Sequence, residues 1–228
     1  MRVELLGPSG VGKTTVLQSL KPVLATRPDM EWLGPASLDK IAAENLCCFS
    51  AKERMRLALD EFVPRAFIDT CFRIVTASSM LPSQKVAALT ILRKSCEASF
   101  ALRSMDSDTL CIHDELLLHR SISLLPLSAD LARDASEYFH LVPVPDIACI
   151  VRADVETIVQ RALLREHLPN CYFGQDEGRM RQVIGASLKV CDAAATVLSS
   201  RGVRVIEIDT SAHPGQVSQQ FASQLGVI

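Results

Sequence analysis

Residues 7–14, Gly-Pro-Ser-Gly-Val-Gly-Lys-Thr, constrain the fold of this chain more than any other feature. They match the phosphate-binding pattern G-x-x-x-x-G-K-[ST] at every fixed position. Residues 2–6 before them predict a short buried strand, and residues 14–20 after them predict a helix that ends near Pro22. A glycine-rich turn between a strand and a helix forms an anion site, because the loop amides and the positive end of the helix dipole face the same point.

The loop predicts a nucleotide site that uses ATP and Mg²⁺. Lys13 is expected to reach the β- and γ-phosphates, and the Thr14 hydroxyl is expected to bind the metal. ATP is favoured over GTP because the chain has neither an N-K-x-D nor a D-x-x-G motif. The residues predicted to surround the phosphates are Gly7, Pro8, Ser9, Gly10, Val11, Gly12, Lys13, Thr14 and Thr15.

Length and charge limit the architecture and the partners. The chain has 228 residues, 48% of them hydrophobic, which suits a single α/β domain over residues 1–228. A formal net charge of −2 argues against a general nucleic-acid-binding surface, which needs a basic excess. No apolar run reaches the roughly 18 residues of a membrane span. We therefore expect no nucleic-acid partner and no membrane insertion.

The cysteines and the first strand bear on the compartment. The eight cysteines are scattered and form no C-x-x-C pair, which favours reduced thiols over disulfides or zinc. The first predicted strand begins at residue 2 and leaves no room for a signal peptide. We expect a cytoplasmic protein.

Predicted strands alternate with predicted helices along the chain. The strands are expected at residues 2–6, 30–33, 109–113, 146–151 and 203–208. This alternation predicts a three-layer α/β fold of the P-loop NTPase type, with a mainly parallel sheet of about five strands. Residues 37–103 carry apolar residues at helical spacing, in runs at 42–47, 55–62, 66–77 and 85–102, and predict a helical insert on the acceptor side. The polar residues 166–178 are expected to form a short lid.

Asp114 follows the buried strand at residues 109–113, as a Walker B carboxylate does. It could hold Mg²⁺, take a proton from an attacking hydroxyl, or merely cap the next helix. Glu115 beside it could polarise water in an ATPase, bind substrate, or be a solvated helix-start residue. Because ligands bind beyond the carboxyl ends of parallel strands, Asp114 is expected to face the phosphate loop.

Three arginines are candidate ligands for anions. Arg161 and Arg165 lie four residues apart on one helix face and border the predicted lid, so they could stabilise charge on the transferred phosphoryl group. An ordinary solvated face is the alternative. Arg73 lies in an otherwise apolar helix and could reach an anionic substrate. It could also extend to solvent or pair with Asp69 one turn earlier.

Four segments together resemble P-loop kinases of the nucleoside-monophosphate-kinase type, and their layout is similar to thymidylate-kinase-like proteins. The segments are residues 7–15, 110–115, 150–165 and 203–210. The resemblance implies that the third segment opens the lid and brings its arginines to the ATP phosphates. It also implies that residues 209–214 lie near the adenine and that Asp114 orients or deprotonates the acceptor.

The chain departs from that family in two places. Thymidylate kinases usually have Arg directly after the acidic residue, whereas this chain has Glu115. Residues 37–103 carry no nucleotide-kinase signature, so a nucleotide, a sugar or another hydroxyl or phosphate metabolite remains open as the acceptor.

We therefore predict an ATP-dependent phosphotransferase that acts on a small molecule. The catalytic residues would be Lys13, Asp114, Arg161 and Arg165, with Arg73 and Glu115 binding substrate and with Thr14 and Asp114 holding the metal. The alternative is a P-loop ATPase or GTPase switch that acts on a protein partner, which the adjacent Asp114 and Glu115 would suit. Apolar helices such as residues 85–102 could pair in a homodimer.

Overall fold

Five parallel strands form the sheet that the alternation of strands and helices predicts. The computed structural model describes residues 1–26, 32–33, 44, 47–104, 109–165, 172, 175–211 and 214–226. The spatial order of the strands is β2-β3-β1-β4-β5, so β1 and its phosphate loop lie at the centre of the sheet. The strands are β1 (Arg2–Leu6), β2 (Trp32–Leu33), β3 (Leu110–His113), β4 (Ile147–Arg152) and β5 (Arg204–Asp209).

Helices cover both faces of this sheet. The helical insert predicted between β2 and β3 is confirmed for the described residues, where it supplies α2 to α4. The helices are α1 (Lys13–Leu24), α2 (Ala51–Arg56), α3 (Arg65–Ala77), α4 (Pro82–Ala101), α5 (Leu117–Leu124), α6 (Leu131–Leu141), α7 (Val155–Leu163), α8 (Glu177–Ser200) and α9 (Pro214–Leu225).

Strand alternation produces two apolar clusters, one on each face of the sheet. Val3 and Leu5 of β1 pack with α1, α7 and α9, whereas Leu6 packs with the helices α3 to α6. The long helix α8 contributes to both clusters: Met180 belongs to the first and Leu198 to the second. The three-layer α/β fold is therefore confirmed, and the carboxyl end of β1 opens between the two helical layers.

Two helix boundaries differ from those the sequence predicts. Helix α1 continues through Pro22 to Leu24 instead of ending near Pro22. Proline removes one helical hydrogen bond, but the freed carbonyl belongs to Gln18, which is exposed and can bond to water. Helix α2 begins four residues before the predicted apolar run at residue 55, because Ser50 and Glu53 form a capping box there.

Helix α8 is long and apolar enough to cross a membrane by length and composition alone. In the fold it is a core helix, since residues such as Ile184 and Val190 are fully buried against the sheet and its neighbouring helices. Its apolar character is thus explained by packing between the two clusters.

Part of the predicted architecture falls on residues outside the described ranges. Most of the predicted lid at 166–178 lies there, as do residues 34–43 at the start of the helical insert. The homodimer also stays a prediction, although Leu81 at the N-cap of α4 and Val86 on α4 are exposed apolar side chains.

Candidate functional site

The phosphate-binding loop joins β1 to α1 in a tightly packed turn. Gly12 has a φ of 108°, a left-handed conformation that glycine adopts without strain. A Cβ atom on Gly7 would lie 2.6 Å from the Val151 carbonyl oxygen, so the loop can pass this close to β4 only with glycine. The sequence pattern therefore reflects a real steric requirement.

The first turn of α1 leaves its backbone donors free to bind an anion. Gly12 at the N-cap position has no side chain that could accept a hydrogen bond. Within the described residues, the amides of Lys13, Thr14 and Thr15 donate to no protein acceptor. Uncapped amides at the positive end of a helix dipole are the usual protein ligands of phosphate.

Lys13 lies folded back over the loop. Its Nζ donates to the carbonyl oxygens of Gly7, at 2.8 Å, and Pro8, at 3.2 Å. Burial lowers the pKa of Lys13 to about 8, and the nearby carboxylate of Asp114 partly offsets this effect. The side chain is therefore a positive group held at low solvation, with only loop carbonyls to release when a phosphate arrives.

Asp114 lies directly after β3, and its carboxylate interacts electrostatically with Lys13 of the loop. It is half-buried, and burial raises its pKa while Lys13 acts in the opposite direction. Asp114 does not cap the following helix, because α5 begins at Leu117 with Leu116 at the N-cap position. That alternative reading of Asp114 is wrong, and the carboxylate is left available to a ligand.

Glu115 is anchored through its backbone rather than its side chain. Its carbonyl oxygen accepts hydrogen bonds from Nη2 of Arg120 at 2.6 Å and from the Ser95 hydroxyl at 3.2 Å. Its amide donates to Nδ1 of His113 at 2.8 Å. The Glu115 carboxylate is exposed and lies 3.4 Å from Arg120. These bonds fix the turn that carries Asp114.

Thr14 and Asp114, the residues predicted to hold Mg²⁺, suit an ion whose remaining ligands come from the nucleotide and from water. Thr14 is exposed at the start of α1, beside the uncapped amides, and Asp114 is the half-buried carboxylate that interacts with the neighbouring Lys13. The described residues contain no group of three or more histidine, cysteine or acidic side chains that could hold a metal alone. Mg²⁺ in nucleotide sites typically uses one or two protein ligands together with phosphate and water.

Arg161 and Arg165 line the same open cleft of about 360 Å³ beside the loop. Arg161 is tied into the structure: its guanidinium donates to the Val11 carbonyl at 3.2 Å and to the hydroxyl and carbonyl of Thr210 at 3.0 and 2.9 Å. It links the loop to the end of β5. Arg165 lies just beyond α7 and is exposed.

Arg73 is engaged by acidic residues of α6. Its guanidinium lies 2.7 Å from the carboxylate of Asp134, which is almost fully buried, and also pairs with Glu137. The predicted alternative partner, Asp69, instead lies 3.8 Å from Arg65. The contacts of Arg73 thus join α3 to α6 and do not bring it together with the loop residues.

Several residues that shape the site were missed by the sequence analysis. Arg120 and Glu4 are charged residues within apolar segments, which was a visible signal that each has a buried partner. Thr210 donates its hydroxyl to the Val11 carbonyl at 2.6 Å, and Tyr172 donates its hydroxyl to the Ser9 carbonyl at 3.0 Å. Neither contact has a sequence signal, because the partners are more than 150 positions apart.

Comparisons with known proteins find a similar fold in a solved structure, at low sequence identity. No protein-family model and no curated protein sequence matches the chain. Among solved structures, the deoxyadenosine kinase from M. mycoides with bound dATP is 12% identical, with a TM-score of 0.53 and 99% of both chains covered. The same kinase with products dCMP and dCDP is 10% identical, with a TM-score of 0.47, over 99% of this chain and 98% of that one.

The first likeness extends over nearly the whole of both chains. It shows that this chain has the three-layer fold of a P-loop kinase, as the sequence analysis predicts. At this identity a structural likeness bears on the fold alone and does not assign a reaction.

Proposed function

We propose that this chain is a kinase that transfers the γ-phosphate of ATP to a hydroxyl group of a small-molecule acceptor. One observation carries the proposal: an uncapped glycine loop with a buried lysine lies opposite a half-buried carboxylate at the central strands of a parallel sheet. This arrangement offers positive charge for phosphates on one side and a proton acceptor on the other.

The loop would bind the nucleotide. The free amides of Lys13, Thr14 and Thr15 would donate to phosphate oxygens, and Lys13 would exchange its two loop carbonyls for them. Thr14 and Asp114 would hold Mg²⁺, which neutralises phosphate charge when it is bound. The cleft beside Gly12, Thr210 and Val217 would take the remainder of the nucleotide.

Asp114 would act on the acceptor. Its carboxylate would accept the proton of the attacking hydroxyl as that oxygen forms its bond to the γ-phosphorus, while the bond to the bridging oxygen breaks and ADP leaves. Burial raises the pKa of Asp114, which makes the carboxylate a better base than an exposed aspartate. The turn anchored by Arg120 would keep this carboxylate in place.

The two cleft arginines would have different tasks. Arg161 would hold the loop to the end of β5 through Val11 and Thr210, so its contribution would be to the shape of the site. Arg165 has an exposed side chain at the same cleft and would be the cation free to approach the transferred phosphoryl group.

Deoxynucleosides are the first acceptors to test, because the neighbour with the same fold is a deoxyadenosine kinase. A thermal-shift screen would hold Mg²⁺ and a non-hydrolysable ATP analogue constant and vary the second ligand among nucleosides, nucleoside monophosphates, sugars and amino alcohols. Binding to the folded state raises the melting temperature, by an amount equivalent to about 2.7 kcal/mol at a hundred times the dissociation constant.

We expect one acceptor class to stabilise the protein beyond the analogue alone. Stabilisation by the analogue with no response to any acceptor would contradict the kinase proposal. Acceptor-free ATP hydrolysis that is lost in Glu115→Gln would instead support the switch alternative. The proposed kinase would work in the cytoplasm, where ATP and small metabolites are available to it.

A further inference from the structure

A buried carboxylate lies beneath the turn that carries Asp114. Glu4 belongs to the central strand β1 and is only 4% exposed. It pairs in register with His113 of β3 and Ala148 of β4, so it lies in the middle of the sheet. Its strand neighbours Val3 and Leu5 face the opposite apolar cluster, which leaves Glu4 facing the helices on the acceptor side.

The first turn of α5 lacks a cap of its own. Leu116 occupies the N-cap position and has no side-chain acceptor. The Glu4 carboxylate fills this role from another element: its Oε1 accepts the amide of His119 at 3.1 Å, and the Leu118 amide also acts on the carboxyl group. A carboxyl oxygen at the amino-terminal end of a helix satisfies otherwise unpaired amide donors.

We propose that Glu4 is a positioning residue: by capping α5 from β1, it fixes the turn of Asp114 and Glu115 relative to the phosphate loop. Only Leu116 separates Glu115 from the capped helix, and Arg120 on α5 binds the Glu115 carbonyl. Strand β1 continues directly into the loop at Gly7. Glu4 is therefore a short connection between the donor and acceptor sides of the site.

Other polar groups around Glu4 suit this role. Arg2 on β1 and Arg120 on α5 lie near enough to lower the pKa of Glu4, but burial outweighs them and raises it to about 8, and Cys111 on β3 and Tyr138 on α6 also lie near it. His119, whose amide is held by Glu4, has an Nδ1 atom that is closed to solvent and has no partner among the described residues. Positioning of α5 thus also fixes an imidazole beside Lys13.

Amide hydrogen exchange tests the cap without reference to catalysis. In Glu4→Ala, exchange at the amides of Leu118, His119 and Glu115 should accelerate about tenfold, the effect of losing a helix cap. Glu4→Gln should keep most of the protection, because the Gln oxygen can accept the same hydrogen bond. Glu4→Asp, which is one methylene shorter, should resemble Glu4→Ala and serves if the alanine variant does not fold.

The matched control is Leu225→Ala at the end of α9, a buried residue away from α5. It should lower stability without selectively exposing the three amides. The positioning role rests on the proposed function, so it is also tested by kinetics with Mg-ATP and deoxyadenosine. Glu4→Ala should lower kcat by about tenfold or more, while the affinity for ATP stays within about twofold. Glu4→Gln should restore most of kcat.

Unchanged exchange at the three amides in Glu4→Ala would overturn the cap. Accelerated exchange at Leu118 and His119 with full protection at Glu115 and unchanged kcat would overturn the positioning role. If the wild-type chain phosphorylates no acceptor, the proposed function fails on its own, and exchange at the Glu115 amide still decides whether Glu4 fixes the turn.

Discussion

The donor and acceptor sides of the candidate site consist of different kinds of chemical group. The donor side consists of backbone: glycines, free amides and one lysine that bonds to loop carbonyls. The acceptor side consists of buried polar side chains from distant parts of the chain, with Glu4, Ser95, Arg120 and His113 holding the turn at Glu115. Backbone sites depend on local geometry, whereas a side-chain network depends on the whole fold.

This difference predicts two kinds of mutational effect. Substitutions on the donor side should abolish phosphate transfer and leave the protein folded, because Lys13 and the loop amides contribute little to the stability of the fold. Changes on the acceptor side should weaken the fold together with activity, since each buried polar group there satisfies another.

Lys13→Ala should give the largest effect. We expect kcat for phosphate transfer to fall by about 10³-fold or more, because the variant loses the buried cation that is proposed to face the transferred group. Thermal unfolding should change little. Steady-state kinetics and a melting curve measure the two effects, with exposed Lys21→Ala on the same helix as the control. A kcat within about tenfold of wild type would remove Lys13 from the mechanism.

Asp114→Asn should lower kcat by about 10²- to 10⁴-fold, the range for a lost general base. Affinity for ATP, measured by titration calorimetry, should change only a few-fold, because the loop amides remain. Neighbouring Glu115→Gln is the control and should keep most transfer activity, since the Glu115 carboxylate is exposed and its structural bonds use the backbone. The opposite ranking of the two variants would favour water activation by Glu115.

Arg120→Ala should destabilise the protein by about 3 kcal/mol, because it leaves buried acceptors unpaired. Arg120 is 8% exposed and bonds to Ser95 and the Glu115 carbonyl. Urea unfolding measures the change. Arg181→Ala is the control: its ion pairs with Glu156 and Glu177 are at the surface and should contribute little to stability. Equal losses in the two variants would contradict the contrast.

Glu4→Gln should change how stability depends on pH. Burial raises the pKa of Glu4 to about 8 in the folded protein, against an ordinary value of 4.5. The folded state then holds a proton that the unfolded state releases, so this contribution to stability is present below about pH 4.5 and is lost as pH rises towards 8. Wild type should lose roughly 3 kcal/mol relative to Glu4→Gln between pH 5 and 8.

The comparison with Glu4→Gln is needed because histidines act in the opposite direction. Burial lowers the pKa of His113 to about 4, so its contribution to stability increases as pH rises from 4 to 6.5. The contribution of His113 is the same in wild type and in Glu4→Gln, so it cancels when the two stabilities are subtracted. A difference that does not vary between pH 5 and 8 would show that the carboxylate titrates normally.

The sequence predicted the donor side far better than the acceptor side, for a physical reason. The loop pattern and the strands are local: each depends on residues within a few positions, and the structure confirms the five-stranded parallel sheet. The contacts of Arg120, Glu4 and Thr210 join residues that are 5 to 199 positions apart in the chain. For Arg120 and Glu4, the only sequence signal was a charged residue within an apolar segment.

Arg73 is the clearest case of a residue whose partner the sequence does not identify. Its apolar helix made it a candidate substrate ligand, yet its partners lie 61 and 64 positions away on α6. A cation in an apolar segment predicts a buried partner, but the sequence does not say whether that partner is a ligand or another helix. Helix α2 was misplaced for the opposite reason, because the local Ser50 and Glu53 cap was present but not used.

The proposed function requires that the loop and Asp114 move phosphate from ATP to an acceptor. This transfer can be followed by ³¹P NMR of the wild-type protein with Mg-ATP and deoxyadenosine, extended to the best binder from the thermal-shift screen. We expect equal amounts of ADP and a phosphorylated acceptor, with both products lost in Lys13→Ala. ADP and free inorganic phosphate without any phosphorylated acceptor would contradict the proposed function.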